Sequence, residues 1–190
     1  YFQPNSDIQR DEETIVFSGK MSYHANISMV KYLVDEVMPR VWKVRPAARL
    51  IIVGKDPTPD IKAFAENPLI AVTGTVADIR PFLWCATVSV VPLLYGAGIQ
   101  NKILEAMATG TPVVTTSRTL SALEAQPGTE ILVADTADAF SAEVLRLLGN
   151  KTLVNKIGNA GLMYVQKNHS WKNITSRLVD VYRRVSKKSI

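Results

Sequence analysis

Short apolar runs alternate along this chain with segments in which apolar residues recur every three or four positions. The apolar runs predict strands at residues 14–17, 49–53, 69–73, 88–91, 113–114 and 131–133. The periodic segments predict helices near residues 27–41, 61–66, 77–85, 101–109, 137–148 and 153–167, and a last helix that begins after Ser170. Because the strands are apolar on both faces, helices must cover both sides of the sheet. The sequence therefore predicts an α/β fold, a Rossmann-like doubly wound parallel sheet of about six strands in the order 3-2-1-4-5-6.

The 190 residues suit one domain and contain neither an internal repeat nor a linker rich in Pro, Gly and Ser. The first three residues, Tyr-Phe-Gln, resemble the end of a protease-cleavable purification tag. We therefore assign residues 1–13 to a tag remnant and lead-in, and residues 14–190 to the domain, including the last helix. Pro39 interrupts the first helical pattern and predicts a kink or an end there. No apolar run reaches the roughly 18 residues that a membrane helix requires.

The predicted strand order indicates where a ligand would bind. In an open parallel sheet, ligands bind beyond the carboxyl ends of the strands, at the point where the strand order reverses. Here that point lies between the first and fourth strands, which are followed by residues 18–22 and 94–102. Both loops contain glycine and lysine and lead into helices, a combination that suits a diphosphate, with positive charge from Lys20 and Lys102. The alternative interpretation is that these glycines form tight turns and the lysines face water.

Glu105 lies about one turn inside the helix after the fourth strand, where the helix dipole favours a carboxylate. A carboxylate there also suits the hydroxyl groups of a ribose whose phosphates lie at the helix start. The sequence has no G-x-G-x-x-G, Walker A or zinc-ligand spacing and no Asp-x-Asp pair, so it predicts no metal site. His24 and His169 are interpreted as surface or capping residues.

The charge of the chain is concentrated at its end. Residues 151–190 contain nine Lys or Arg and one acidic residue, whereas residues 1–150 contain 13 basic and 16 acidic residues. One interpretation is an exposed helix end, where cations also suit the helix dipole. The other is contact with an anionic membrane or with a partner domain. No aromatic-basic pattern accompanies the charge, so nucleic acid is not an expected partner.

Residues 98–114, GIQNKILEAMATGTPVV, resemble the signature of the retaining glycosyltransferases of family 4, usually written E-G-F-G-x-x-x-x-E-A-M-A-x-G-x-P-V-V. Residues 16–19, 51–54 and 72–76 fall where that family has its first three strands, and residues 169–171 resemble the lead-in to its last helix. The resemblance covers nearly the whole chain and is greatest to the sugar transferases of exopolysaccharide and exosortase-associated gene clusters.

The resemblance implies the carboxy-terminal half of a GT-B fold, in which two Rossmann-like domains face a cleft. It implies retaining, metal-independent transfer of a hexose from a UDP- or GDP-sugar to a glycan or lipid-linked acceptor, without a cofactor. Lys20 and Lys102 are the expected catalytic cations. The expected donor-binding residues are Gly19, Gly54, Gly74, Thr75, Val76, Gly98, Ile99, Gln100, Asn101, Lys102 and Glu105.

The resemblance also implies that an acceptor domain precedes residue 14 in the whole protein. Because transition-state stabilisation needs both walls of the cleft, we expect this chain alone to bind nucleotide weakly and to transfer no sugar. The family's first glutamate falls on Ala97, and the Arg and Lys that commonly follow its first strand fall on Lys20 and Asn26. Lys102 is a candidate to replace the missing cation. A cytoplasmic location, peripheral at the inner membrane face, is expected from the same resemblance.

Three other interpretations stay open. A non-catalytic module that binds nucleotide sugar or acts as a scaffold is favoured by Ala97 in place of glutamate. A nucleotide-sugar epimerase of the same fold would need an added set of catalytic acids and histidines. A receiver-like regulatory domain would need an acidic cluster after the first strand, where residues 18–20 are Ser-Gly-Lys.

Overall fold

The computed structural model describes residues 1–96, 98–170, 173–175, 178–179 and 182–183. Its centre is a six-stranded parallel sheet in the order β3-β2-β1-β4-β5-β6, which confirms the predicted fold and strand order. The strands are β1 (Asp11–Ser18), β2 (Arg49–Val53), β3 (Ile70–Val72), β4 (Ala86–Val91), β5 (Val113–Thr115) and β6 (Leu132–Val133).

The helices are α1 (His24–Tyr32), α2 (Met38–Val44), α3 (Pro59–Ala63), α4 (Arg80–Cys85), α5 (Asn101–Ala108), α6 (Ala137–Leu148) and α7 (Lys151–Asn168). Helix α4 starts three residues later than predicted, because the Asp78 carboxylate accepts the Arg80 N–H at 2.9 Å and forms a turn ahead of it. Most of the helix predicted after Ser170, including Trp171, Val181 and Val185, lies outside the described residues. Within the described ranges, no helix combines the length and apolar character needed to cross a membrane.

β1 lies at the centre of the sheet, between β2 and β4, and its residues Ile15, Val16 and Phe17 are fully buried. Helix α6 packs against α2, and α7 packs against α5. Successive residues of a strand point to opposite faces, so the burial of all three β1 residues shows that both faces are covered. Side chains that point to either face of β1 are therefore buried, which explains why the strand shows no polar alternation. Because β1 and β4 are parallel neighbours, the loops that follow them meet at one edge.

β1 begins at Asp11, three residues before its predicted start, because Asp11 already pairs with Ala86 of β4. Part of the segment assigned to the lead-in therefore belongs to the sheet.

The first helical segment continues past Pro39, but its hydrogen-bonding pattern changes just before this residue. A π-helical turn, Leu33–Val37, connects α1 to α2, and Pro39 follows as the second residue of α2. The Met38 N–H donates to the Leu33 carbonyl, five residues earlier. Since proline offers no N–H and its ring crowds the carbonyl four residues back, a wider turn here lets the helix continue past it.

Candidate functional site

A cavity of about 410 Å³ opens at the carboxyl edge of the sheet, between the loops that follow β1 and β4. Loops after β2 and β3 complete its walls, because all four parallel strands end at this edge. Nine of the predicted site residues line it, namely Gly19, Lys20, Gly54, Thr75, Val76, Gln100, Asn101, Lys102 and Glu105. The structure thus brings most of the predicted residues together at the predicted point of the sheet.

Three predicted site residues do not line this cavity. Gly74 directly precedes Thr75 and has a φ of +68°. Gly98, with a φ of +93°, and Ile99, 48% exposed, lie in the loop before α5. Their expected contacts with a donor stay predictions. Ala97, where the family resemblance places a glutamate, lies outside the described residues.

The start of α5 lies at the cavity. Gln100 precedes the helix in an extended conformation, and within the described residues its side chain accepts no capping hydrogen bond from the first turn. The first N–H groups of a helix have no partner within the helix, and the helix dipole makes this end positive. The start of α5 is therefore suited to bind an anion.

The Lys102 amine lies inside the cavity, supported from two sides. Its Nζ donates to Asn26 Oδ1 at 2.6 Å and lies 4.2 Å from the centre of the Phe17 ring. Burial lowers the pKa of Lys102 from 10.5 to about 7, and the nearby Glu105 carboxylate partly opposes this shift. Near neutral pH the amine is thus poised to take up a proton when a negative ligand enters.

Glu105 faces the same cavity from one turn deeper in α5. Burial raises the pKa of Glu105, while the charge of Lys102 lowers it. Glu105 is partly buried rather than packed in the core or on an outer face, so its carboxylate is accessible to a ligand.

Gly19 and Gly54 let two loops approach each other closely beneath the cavity. The Gly19 N–H donates to the Val53 carbonyl at 3.1 Å, and the Met21 N–H donates to the Lys55 carbonyl at 2.8 Å. A Cβ atom at Gly54 would overlap with the Gly19 carbonyl oxygen. Gly54 was predicted to bind the donor, and in the structure it also has this packing role.

We expect Gly54→Ala to lower the free energy of unfolding by about 3 kcal/mol or more, since the new methyl group must displace backbone. Gly128→Ala is the matched control, because Gly128 also has a positive φ, +76°, but no heavy atom lies within 4 Å of its added Cβ. Its expected loss is about 1 to 2 kcal/mol, from backbone strain alone. Urea unfolding of both variants measures the difference, and equal losses would contradict the packing role of Gly54.

The cavity contains residues that the sequence did not single out as donor-binding. Ser18, Tyr23, Asn26, Lys55 and Ile79 also line it. Lys55 follows β2 after Gly54, so its position at the carboxyl edge beside a central strand was a usable signal. The exposed Lys20 side chain lies 3.6 Å from Asp56, which follows Lys55, so the β1 and β2 loops also contribute an ion pair at the rim.

Each histidine contacts a tyrosine. His24 Nδ1 lies 2.9 Å from the Tyr95 hydroxyl, and the two rings are stacked. His169 Nε2 lies 3.1 Å from the Tyr164 hydroxyl. Within the described residues, no three His, Cys, Asp or Glu residues are grouped to hold a metal ion.

The family model described as "Glycosyl transferases group 1" matches residues 12–150, which include every residue that lines the cavity. The chain belongs to this family. An uncharacterized glycosyltransferase of Methanocaldococcus jannaschii is 28% identical to this chain over 195 residues. The alignment covers 96% of the chain and 47% of that relative, so the chain spans about half of its length.

Solved structures share the architecture of this chain. TarM of S. aureus aligns with a TM-score of 0.80 at 16% identity, over 96% of this chain and 37% of TarM. A TarM variant was solved in complex with fondaparinux, alpha-GlcNAc-glycerol and UDP. The C-terminal domain of LpcC, a glycosyl transferase group 1 protein from Francisella tularensis, aligns with a TM-score of 0.70 at 15% identity, over 90% of this chain and 96% of that domain. These matches show the Rossmann-like domain of the GT-B fold.

Proposed function

We propose that the cavity binds the nucleoside diphosphate of a UDP- or GDP-sugar, and that the chain is the donor-binding domain of a glycosyltransferase. One observation carries this proposal. The start of α5, the Lys102 amine and the Glu105 carboxylate all face one cavity beside the glycine turn after β1. The cavity volume, about 410 Å³, lies within the range of small-molecule sites. The UDP present in the TarM complex supports a nucleotide as the ligand.

The arrangement suggests one orientation for the ligand. The diphosphate contacts the first N–H groups of α5, with Lys102 and Lys20 beside it. Glu105, one turn deeper, accepts hydrogen bonds from the ribose hydroxyls. The base lies against Thr75 and Val76, in the loop that follows β3.

In the proposed reaction, the bond between the sugar C1 and the diphosphate oxygen breaks, and its electron pair leaves with the diphosphate. The acceptor oxygen bonds to C1 on the same face of the sugar, and its proton passes to the departing diphosphate. Preorganised donors stabilise the charge that develops on the leaving group. Lys20, Lys102 and the start of α5 supply such donors, so we propose that transfer needs no metal and no cofactor.

We further propose that the acceptor domain precedes this domain in the whole protein. The LpcC C-terminal domain, which this chain covers almost completely, supports the assignment as a carboxy-terminal half. We expect the isolated chain to bind nucleotide weakly and to transfer no sugar. The acceptor is a glycan or lipid-linked sugar of exopolysaccharide synthesis, in keeping with a cytoplasmic protein whose basic residues 151–190 contact an anionic membrane.

We expect Glu105→Ala to weaken binding of UDP or GDP by about 10- to 100-fold, because hydrogen bonds to a charged group contribute about 1.5 to 3 kcal/mol. Isothermal titration calorimetry of the 190-residue chain with UDP, GDP and NAD measures the effect. Binding of one diphosphate, and not of NAD, by the wild-type chain is the expected selectivity.

Glu66→Ala is the control for this experiment. Glu66 is exposed and precedes β3, so it lies toward the opposite edge of the sheet from the cavity. Its variant should bind the diphosphate as the wild type does. Unchanged affinity in Glu105→Ala would remove Glu105 from the site, and preferential binding of NAD would overturn the proposed donor.

The products that the whole protein makes distinguish a transferase from the two alternative functions, an epimerase and a scaffold module. Release of nucleoside diphosphate and formation of a glycoside with retained configuration would support a transferase. Interconversion of two nucleotide sugars would support an epimerase, whereas binding without any turnover would support a scaffold module.

A further inference from the structure

Asn26 is a buried polar residue of α1, 6% exposed, whose side-chain amide connects the loop after β1 to the start of α5 at the cavity. Its Nδ2 donates to the Lys20 carbonyl at 2.8 Å, and its Oδ1 accepts from Lys102 Nζ at 2.6 Å. An amide removed from water without hydrogen bonds is unfavourable, so both ends of a buried Asn need partners. Here both ends have one.

The chemistry of these partners determines the orientation of the amide. A backbone carbonyl can only accept a hydrogen bond, and a lysine ammonium can only donate one. With the oxygen and nitrogen exchanged, Asn26 would lose its bond to the Lys20 carbonyl, and it would also lose its bond to Lys102 whenever that amine is charged. The described orientation is therefore the one that keeps Oδ1 directed at Lys102.

The Asn26 amide and the Lys102 amine also surround Gly19. A Cβ atom at Gly19 would lie 2.7 Å from Asn26 Nδ2 and 2.9 Å from Lys102 Nζ. Glycine at this position thus leaves the space in which the amide and the amine meet, directly at the turn assigned to the diphosphate.

We propose that Asn26 is a positioning residue that holds the Lys102 amine at the start of α5, where it meets the diphosphate of the donor. The proposal rests on the proposed function of the cavity and adds to it a residue that acts through Lys102. Asn26 itself is directed at the amine and at the Lys20 carbonyl, so its effect on the ligand is indirect.

The groups around the Lys102 amine explain why a hydrogen-bond acceptor beside this amine matters. Phe17 of β1 presents a ring face, and Glu105 presents a carboxylate from the same helix. Lys20 and Lys55, from the loops after β1 and β2, add positive charge to the cavity, and Lys20 is paired with Asp56. Residues from the loop after β3 that line the cavity are uncharged, namely Thr75, Val76 and Ile79, and α1 adds the neutral Asn26.

Burial lowers the pKa of Lys102 to about 7, so the free chain holds this amine partly without its proton near neutral pH. A hydrogen bond to Asn26 favours the charged form and fixes the place of the nitrogen. Removal of the Asn26 oxygen should therefore make protonation of the Lys102 amine harder and should weaken its attraction for a diphosphate. A carboxylate in place of the amide should make protonation easier.

The first test needs no nucleotide. NMR titration of the Lys102 side chain in the 190-residue chain, with the signal assigned from Lys102→Met, measures the protonation midpoint in the wild type, Asn26→Leu and Asn26→Asp. We expect the midpoint to fall in Asn26→Leu and to rise in Asn26→Asp. These opposite shifts distinguish positioning from a general loss of structure, and unchanged midpoints in both variants would overturn the proposal.

The second test measures UDP and GDP affinity in a double-mutant cycle. We expect Asn26→Leu to weaken binding about tenfold in the wild-type background and to have little effect in Lys102→Met. An equal loss in both backgrounds would show that Asn26 acts without Lys102, which overturns the proposal. If the wild-type chain binds neither diphosphate, the proposed function fails and this proposal fails with it. If the wild-type chain binds a diphosphate but the protonation midpoint of Lys102 does not shift in the Asn26 variants, only the proposed role of Asn26 is wrong.

Discussion

Arg10→Met is expected to lower the free energy of unfolding by about 3 to 5 kcal/mol. The guanidinium of Arg10 donates to the Ala86 carbonyl at 2.7 Å, the Thr111 hydroxyl at 2.9 Å and the Gly110 carbonyl at 2.8 Å. Longer contacts reach the carbonyls of Leu83, Trp84 and Thr109. These acceptors lie where α4 and α5 end, and methionine would remove the donor that Arg10 supplies to both helix ends.

Arg49→Met is the matched control for Arg10→Met. Arg49 is the first residue of β2, the strand next to β1, but its side chain is 53% exposed and pairs with Asp11 at the surface. Exposed ion pairs contribute at most about 1 kcal/mol, so little stability should be lost. Urea unfolding of the two variants measures both values, and a loss in Arg10→Met no larger than in Arg49→Met would contradict the role of Arg10.

The strands and their order could be predicted because local pattern and topology rules point the same way. All six residues of β4 are buried, and residues 88–91 of this strand were predicted from the sequence as a mainly apolar run. A parallel sheet built from such strands places its ligand where the order reverses, and this rule located the loop before α5. Residues 98–114 then narrowed the family to glycosyltransferases, which the group 1 match confirmed.

The partnerships of single polar residues could not be predicted in this way. Arg10 lies in the segment assigned to the lead-in, and the acceptors at its three shortest contacts lie 76 to 101 residues away in sequence. Asn26 and Lys102 are also 76 residues apart. No local periodicity encodes such contacts, since they exist only once the sheet has assembled. The double role of Gly54 was missed for the same reason, because its neighbour Gly19 belongs to another loop.

The cavity combines groups that favour a ligand with groups that oppose folding. Lys102 places an amine in a partly buried site, and this burial is unfavourable for its charged form. Sites of this kind are retained where a ligand later supplies the opposite charge. Stability and diphosphate affinity should therefore change in opposite directions when Lys102 is replaced.

Lys102→Met is expected to weaken UDP or GDP binding by about 30- to 100-fold, the loss of one charge-assisted contact to phosphate. Calorimetry measures this loss, with Lys43→Met, exposed on α2, as a control that should bind as the wild type does. In buffers of different ionisation enthalpy at about pH 8, the wild type should also take up a proton on binding, and Lys102→Met should not. Equal affinity of the wild type and Lys102→Met would remove the amine from the diphosphate site.

Lys102→Met should at the same time remove a pH dependence of stability. The unfolded chain keeps the Lys102 proton up to its ordinary pKa of 10.5, whereas the folded chain releases it above about 7. Between these values the unfolded state binds more protons, so this group makes the free energy of unfolding rise with pH. Because Lys102 is only partly buried, we expect the free energy of unfolding to rise by about 2 to 4 kcal/mol across the whole interval between these two pKa values, less than the full conversion of the pKa shift.

Urea unfolding at about pH 6 and about pH 9 should show Lys102→Met more stable than the wild type mainly at the lower pH. A constant difference at both values would mean that the amine titrates normally in the folded chain, and that its charge carries no conformational penalty for the diphosphate to relieve.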